Sequence, residues 1–241
     1  MHIFLGTWTE EKIDGIIKRA YTIDDPGEKI GFISRFFLNT AYKGFTLIGS
    51  KDIEEELVVD LSGMDCFTFI DYVEAMRLAR SYEDFLKRLK RIRYRNGNKG
   101  FIWRNHFFTD WIENNSDFVD DVTRIIGGKK TRSVKKILNL KEDGSLFLDG
   151  IDIKERKINY ITVKDLKTFK DRLKTGDYIG IYTETKGLDV SHVGIVIKED
   201  TLIFRHASSK PDVMAVIDED FEIYMEGKEG IIILRPKPFK F

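Results

Sequence analysis

Apolar residues recur every three or four positions along 7–20, where Ile13, Ile16 and Ile17 share a face behind Thr7 or Thr9 as a cap, and this spacing predicts a helix. Asp24-Asp25-Pro26-Gly27 stops it. The same period returns over 27–38 (Ile30, Ile33, Phe36, Phe37), over 60–79 (Phe69, Ile70, Val73, Met76) and over 81–95 (Phe85, Leu86, Leu89, Ile92). The last of these carries a basic outer face, read as solvated surface, with a dock for an anionic ligand as the weaker reading. Between the second and third helices, NTAYKGFTLIG is a glycine-punctuated loop and ELVVDL a short strand. Residues 101–126 are dense in aromatics and predict a loop followed by one or two helices, closed by Gly127-Gly128. The pattern over 131–162 is hairpin-like, with turns at Glu142-Asp143-Gly144 and Asp149-Gly150, and a short helix follows over 163–173. The period then changes. DYIGIY, SHVGIVIK, TLIFRHAS, VMAVI and GIIILRP are short β-rich runs between turns, the pattern of an antiparallel sheet, with DEDFEIYMEG read as a helix before the last.

Helices first and strands last give an α+β fold, with the 60–79 helix packed on a C-terminal antiparallel sheet. We read one domain over 1–241: an N-terminal helical part over 1–58, the central helix within 59–80, an insert over 81–175 and the sheet over 176–238. At 241 residues and 28.1 kDa the chain is long enough for a real core. Forty basic residues balance forty acidic ones, which argues against nucleic acid as the main partner. No apolar run reaches the ~20 residues of a transmembrane helix, and no basic start with an apolar core marks a leader. A charged fraction of 33% without a single glutamine fits a heat-adapted source. A lone cysteine excludes an internal disulfide and a thiolate-rich metal site.

That cysteine, Cys66, opens the central helix, where Ser62 and Asp65 are placed to cap the first turn. Unpaired backbone N–H groups and the positive end of the helix dipole there favour thiolate, the nucleophilic form. The alternative is a small buried hydrophobe. A nucleophile needs a base, and of the histidines at 2, 106, 192 and 206 the last two lie in the strand-rich half, 14 residues apart. That separation suits adjacent antiparallel strands joined by the turn at Lys198 to Thr201. One imidazole would take the thiol proton while the other fixes its tautomer and orientation; otherwise each is an ordinary strand histidine. Arg104 and His106, with Trp103 and Trp111 near them, suit a carboxylate and a sugar ring, or else serve as structural groups.

DCFTF, GDYIGIY, SHVGIVI and FRHASS, in that order, resemble the NlpC/p60 superfamily of papain-like cell-wall hydrolases. Within it, TF directly after DC, the long segment before the histidine strand, and RYRNG followed by RNHFFTDWI resemble the N-acetylmuramoyl-L-alanine amidase-like branch, over roughly residues 30 to 235. The resemblance implies that Cys66 is the nucleophile, His192 the general base and His206 the orienting third member. It further implies that Tyr42 lies near the developing oxyanion and that Asp65 is the family aspartate beside the nucleophile. Asn39 and Ala41 stand where the family loop commonly has glycine and proline. The implied reaction is cleavage of the bond between N-acetylmuramic acid and L-alanine in peptidoglycan or its muropeptide fragments, through a thioester, with no metal or organic cofactor. The insert is expected to line the acyl side of the cleft, with Arg104 or His106 reaching the sugar. An exported, periplasmic or envelope protein is implied, its leader lying outside this chain, with a cytoplasmic location left open. Two further readings stand beside this one: an endopeptidase cutting D-glutamyl to diamino-acid bonds of the stem peptide, and a catalytically silent wall-binding module.

Overall fold

In a computed structural model describing residues 1–239, the chain runs β1 (His2–Phe4), α1 (Glu10–Tyr21), α2 (Pro26–Ser34), β2 (Ala41–Tyr42), β3 (Val58–Asp60), β4 (Gly63–Met64), α3 (Cys66–Arg77), α4 (Tyr82–Arg93), α5 (Phe108–Asn114), β5 (Val119–Asp121) and α6 (Thr123–Gly127). It continues through β6 (Thr131–Leu138), β7 (Lys154–Thr162), β8 (Tyr178–Tyr182), β9 (Val190–Lys198), β10 (Leu202–Ser208), β11 (Ala215–Asp220), α7 (Phe221–Met225) and β12 (Gly230–Pro236). Most of the expected helices and strands are present, and the class is mixed α+β. Thr9 caps α1 through the Lys12 N–H, and Asp25, read in the sequence as part of a stop, also caps the helix that follows. Asp25-Pro26 is thus both the end of one turn and the start of the next helix, since proline at a helix's first position loses no hydrogen bond. Residues 163–173 form short 3-10 turns instead of one helix, and DEDFEIY divides, Asp218 to Asp220 finishing β11 and capping α7.

The sheet is wider than the C-terminal strands alone. Among the described residues ten strands join it, in the order β4-β2-β11-β10-β9-β8-β12-β7-β6, with β5 on β12. The β6–β7 hairpin of the insert and the two-residue strands β2 and β4, both before the central helix, are therefore sheet members. The β2–β4 pair is parallel, which corrects the expectation of a purely antiparallel sheet.

Helix α3 is the hub. The expected one-sided burial does not hold: ten of its twelve residues are buried, Asp71, Glu74 and Arg77 included. A buried charge is tolerated only when paired and hydrogen-bonded, and each of these is. Asp71 accepts from Arg93 Nε at 2.9 Å and Trp111 Nε1 at 3.0 Å, while Glu74 takes Arg77 Nη2 at 2.6 Å and the Tyr178 hydroxyl at 2.8 Å. The helix is thereby tied to α4, α5 and β8. One apolar core joins α1–α4 to the sheet face carrying Val193, Ile195 and Ile197; a second, on the opposite face, gathers Ile179, Ile181, Val196, Phe204 and Phe221.

Candidate active site

Asp65 places Cys66. Its carboxylate accepts from the N–H groups of Phe67 and Thr68 at 3.0 and 2.7 Å, and the Thr68 hydroxyl accepts from the Asp65 N–H at 3.0 Å, a reciprocal cap that fixes where α3 begins. Ser62 does not cap; its hydroxyl donates to Asp60 at 2.5 Å. Cys66, as the first helical residue, lies half-buried with the Val193 backbone amide approaching its thiol. Burial, reinforced by the Asp65 carboxylate, pushes the thiol up to about 12, against the backbone N–H groups of Val193, Cys66 and Phe67 that favour thiolate. The helix terminus alone predicts a thiolate; burial next to a carboxylate outweighs it, and the resting group is a protonated thiol.

His192 and His206 do pair. His192 Nε2 lies 2.8 Å from His206 Nδ1. The strand register pairs Arg205 with Ile195, so the rings meet on the diagonal across Gly194. A β-carbon on Gly194 would lie 2.5 Å from the Phe204 ring, which packs 4.9 Å from His206. Alternation along β9 puts His192 on the face of the second core, and the register with β10 puts His206 there too, whereas the body of α3 lies on the other face with Val193. The thiol therefore meets the histidine strand through the Val193 amide, at the helix tip. Burial, together with the neighbouring His206, Lys228 and Lys210, pushes His192 down to about 3, so it is a neutral imidazole.

Two groups here escaped the sequence reading. Glu219 accepts from His206 Nε2 at 2.7 Å and holds Lys210 Nζ at 2.6 Å through its other oxygen. Tyr224 lies 4.8 Å from the His206 ring and 6.1 Å from that of His192, and its phenol is pushed up by burial and by the adjacent Cys66 and Glu219. Both sit in the acidic run taken as one helix. The alternation of a strand through Glu219, facing His206 across β10 and β11, is the signal that would have found it.

A cleft of about 730 Å³ opens over Cys66, lined by Tyr42, Asp65, Phe101, Arg104 and Phe147 among others, but by neither histidine. Tyr42 enters from the end of β2, which is held beside β11 by Tyr42 N–H to Met214 O and Asn39 N–H to Val216 O, both 2.8 Å. Asn39 adopts φ 66°, a left-handed conformation that asparagine tolerates better than most residues and that glycine would also give. Burial, with Cys66 and Asp65 nearby, raises the Tyr42 phenol, which stays a hydroxyl donor. Arg104 reaches the cleft wall held by Glu55, by its Nε at 3.1 Å and by a closer Nη2 contact. His106 is not on the wall. Its Nε2 donates to the Phe101 carbonyl at 2.7 Å, its ring packs 4.8 Å from Phe101, and burial pushes it down to about 4. Trp111 is core, and Trp103 packs under Arg95. At the rim, Phe45 is fully exposed at φ 58°, and Lys51 pairs with Asp149 at 2.6 Å, joining the loop after Tyr42 to the hairpin of the insert. Among the described residues no group of His, Cys, Asp or Glu side chains is arranged to hold a metal ion.

The sequence model of an AmiA-like family, described as N-acetylmuramoyl-L-alanine amidase-like, matches residues 32–231. The crystal structure of an N-acetylmuramoyl-L-alanine amidase from Bacteroides uniformis is similar at TM-score 0.73 and 27% identity, covering 88% of this chain and 99% of that one. A protein from Bacteroides fragilis with a provisional xylanase name is 30% identical at TM-score 0.67, over 84% of this chain and 98% of that one. A Legionella pneumophila protein shares the fold at TM-score 0.79 and 23% identity, over 95% and 94% of the two chains. No curated protein matches the sequence.

Proposed function

Because the chain belongs to the AmiA-like, N-acetylmuramoyl-L-alanine amidase-like family, we propose that it is a papain-like cysteine amidase that cleaves the bond joining N-acetylmuramic acid to L-alanine in peptidoglycan or its fragments. The observation that carries the cysteine mechanism is the meeting of a helix-opening thiol with the strand that bears a hydrogen-bonded histidine pair. With peptidoglycan as substrate, the place of action is the cell envelope or wherever its fragments are taken.

In this reading His192 takes the Cys66 proton as the sulfur attacks the amide carbonyl. Both groups start neutral, so the transfer accompanies attack and does not precede it. The oxyanion is held by the Cys66 N–H, fixed at the start of α3, and by the Tyr42 hydroxyl. Protonated His192 gives its proton to the departing amine of alanine, leaving a muramoyl thioester. Water, deprotonated by His192, then releases the acid and restores the thiol. The sugar side of the substrate lies along the wall of Phe101, Arg104 and Phe147, with His106 acting through Phe101. Arg104, already paired to Glu55, offers directed N–H groups and little free charge.

The test is turnover of a muramoyl-peptide by folded variants. Cys66→Ala and His192→Ala are expected to abolish it, His206→Ala to leave a residue, and Tyr42→Phe to lower it by about two to three orders of magnitude. Arg104→Ala and His106→Ala should act mainly on KM. Undiminished turnover in Cys66→Ala would end the cysteine mechanism.

A further inference from the structure

Glu219 and Lys210 have no part in the chemistry just described, yet they close the hydrogen-bond chain that begins at His192. A carboxylate only accepts hydrogen bonds. Lys210 Nζ, 2.6 Å from Glu219 Oε1, keeps that carboxylate ionised and fixed in rotation, so Oε2, 2.7 Å from His206 Nε2, must accept a hydrogen bond from that nitrogen. A neutral His206 whose Nε2 carries the hydrogen has a bare Nδ1. That bare nitrogen lies 2.8 Å from His192 Nε2, which must then be the donor. A neutral His192 protonated at Nε2 leaves its Nδ1 lone pair free. Each bond dictates the next, and the chain ends on the one nitrogen of His192 that is not engaged with His206.

We propose that Glu219 is the positioning residue that sets the tautomers of both histidines and so presents His192 Nδ1 as the base, with Lys210 fixing which way Glu219 faces. The inference rests on the cysteine-amidase reading for its consequence in turnover; the tautomer assignment needs only the hydrogen-bond geometry and a neutral His206, the form that its burial favours. It also implies an unusual response to a conservative change. In Glu219→Gln the single amide oxygen is claimed by Lys210, which can only donate, and the amide NH2 is turned toward His206 Nε2. That nitrogen must then accept, His206 Nδ1 takes the hydrogen and donates to His192 Nε2, and the remaining His192 hydrogen moves to Nδ1. The base is blocked without loss of a side chain. Removing the lysine as well frees the amide to turn its oxygen to His206 and restores the original order. Exchange of the correct imidazole tautomer for the wrong one lowers turnover by about four orders of magnitude in the serine-protease triad, which sets the scale of the effect.

The experiment combines histidine 15N NMR of the full chain with turnover of a muramoyl-peptide. The expected results are Nε2–H on both histidines in the unmodified protein, Nδ1–H on both in Glu219→Gln with turnover down at least about a hundredfold, and recovery of Nε2–H with at least about a tenfold regain of turnover in Glu219→Gln/Lys210→Met. Unchanged tautomers in Glu219→Gln, or no return of Nε2–H in the double variant, would overturn the proposal. Tautomers that switch as described while turnover stays constant would uphold the role of Glu219 and overturn His192 as the base, so the two ideas fail separately.

Discussion

Burial keeps the proton on Cys66 and off His192, so both groups rest neutral. This has a kinetic signature. Alkylation requires thiolate, so iodoacetamide labelling of Cys66 should climb about tenfold per pH unit from 6 to 9 without levelling. A plateau near neutral pH would mean a thiolate–imidazolium pair and a wetter thiol than the structure gives. The place of Cys66 at the start of a helix and the pairing of His192 with His206 were legible at this scale, the first from the cap signal of Asp65 and the second from a separation that suits adjacent antiparallel strands. Glu219 was not, because an acidic run reads as solvated surface until a strand's alternation turns one carboxylate inward toward His206.

Helix α3 shows the same limit in an element. Its apolar period marks one face, and Asp71, Glu74 and Arg77 read as the outside; only the partners Arg93, Trp111 and Tyr178, from 22 to 104 positions away, make the helix central. No local pattern encodes such pairing. The cap was legible in part: Asp65 forms it, while Ser62 serves the strand before it. Asp65→Ala should cost about 1 kcal/mol of stability from the cap, and because the same cap fixes the turn that carries Cys66, turnover should fall by more than that loss explains. Asp71→Ala strips a buried guanidinium of its carboxylate and is expected to cost about 3–5 kcal/mol, read as a fall in the denaturant midpoint. A loss under 1 kcal/mol would show that water reaches Arg93.

In the whole molecule, helices and strands were legible and their assembly was only partly so. The hairpin-like pattern over 131–162 does form the β6–β7 hairpin, but nothing in it shows that the hairpin extends the main sheet or that its turn at Asp149 meets Lys51 to close the cleft rim. Sheet order is set by non-local pairing, which a run of alternating residues does not specify. The folded molecule also holds histidines below their ordinary value of 6.5, His106 at about 4 among them. A base depressed in the folded state binds fewer protons there than in the unfolded chain between those two values. Stability is therefore full above about 6.5 and falls as pH drops toward about 4. Asp71, Asp177 and Asp189, raised by burial, act in the opposite sense, so the comparison must be with a variant. His106→Gln keeps a donor for Phe101 and does not titrate; its melting temperature should fall less between pH 7 and 5 than that of the unmodified protein. Equal falls would mean that His106 charges freely in place.

The cleft beside Cys66 has a wall from the insert on one side, and the reaction assigned to it cuts between sugar and peptide. Weighing the products of a muramoyl-peptide digest tests this directly: the account predicts a free muramic-acid sugar and an intact stem peptide beginning with L-alanine, formed by the unmodified protein and not by Cys66→Ala. Shortened stems still joined to the sugar would contradict it.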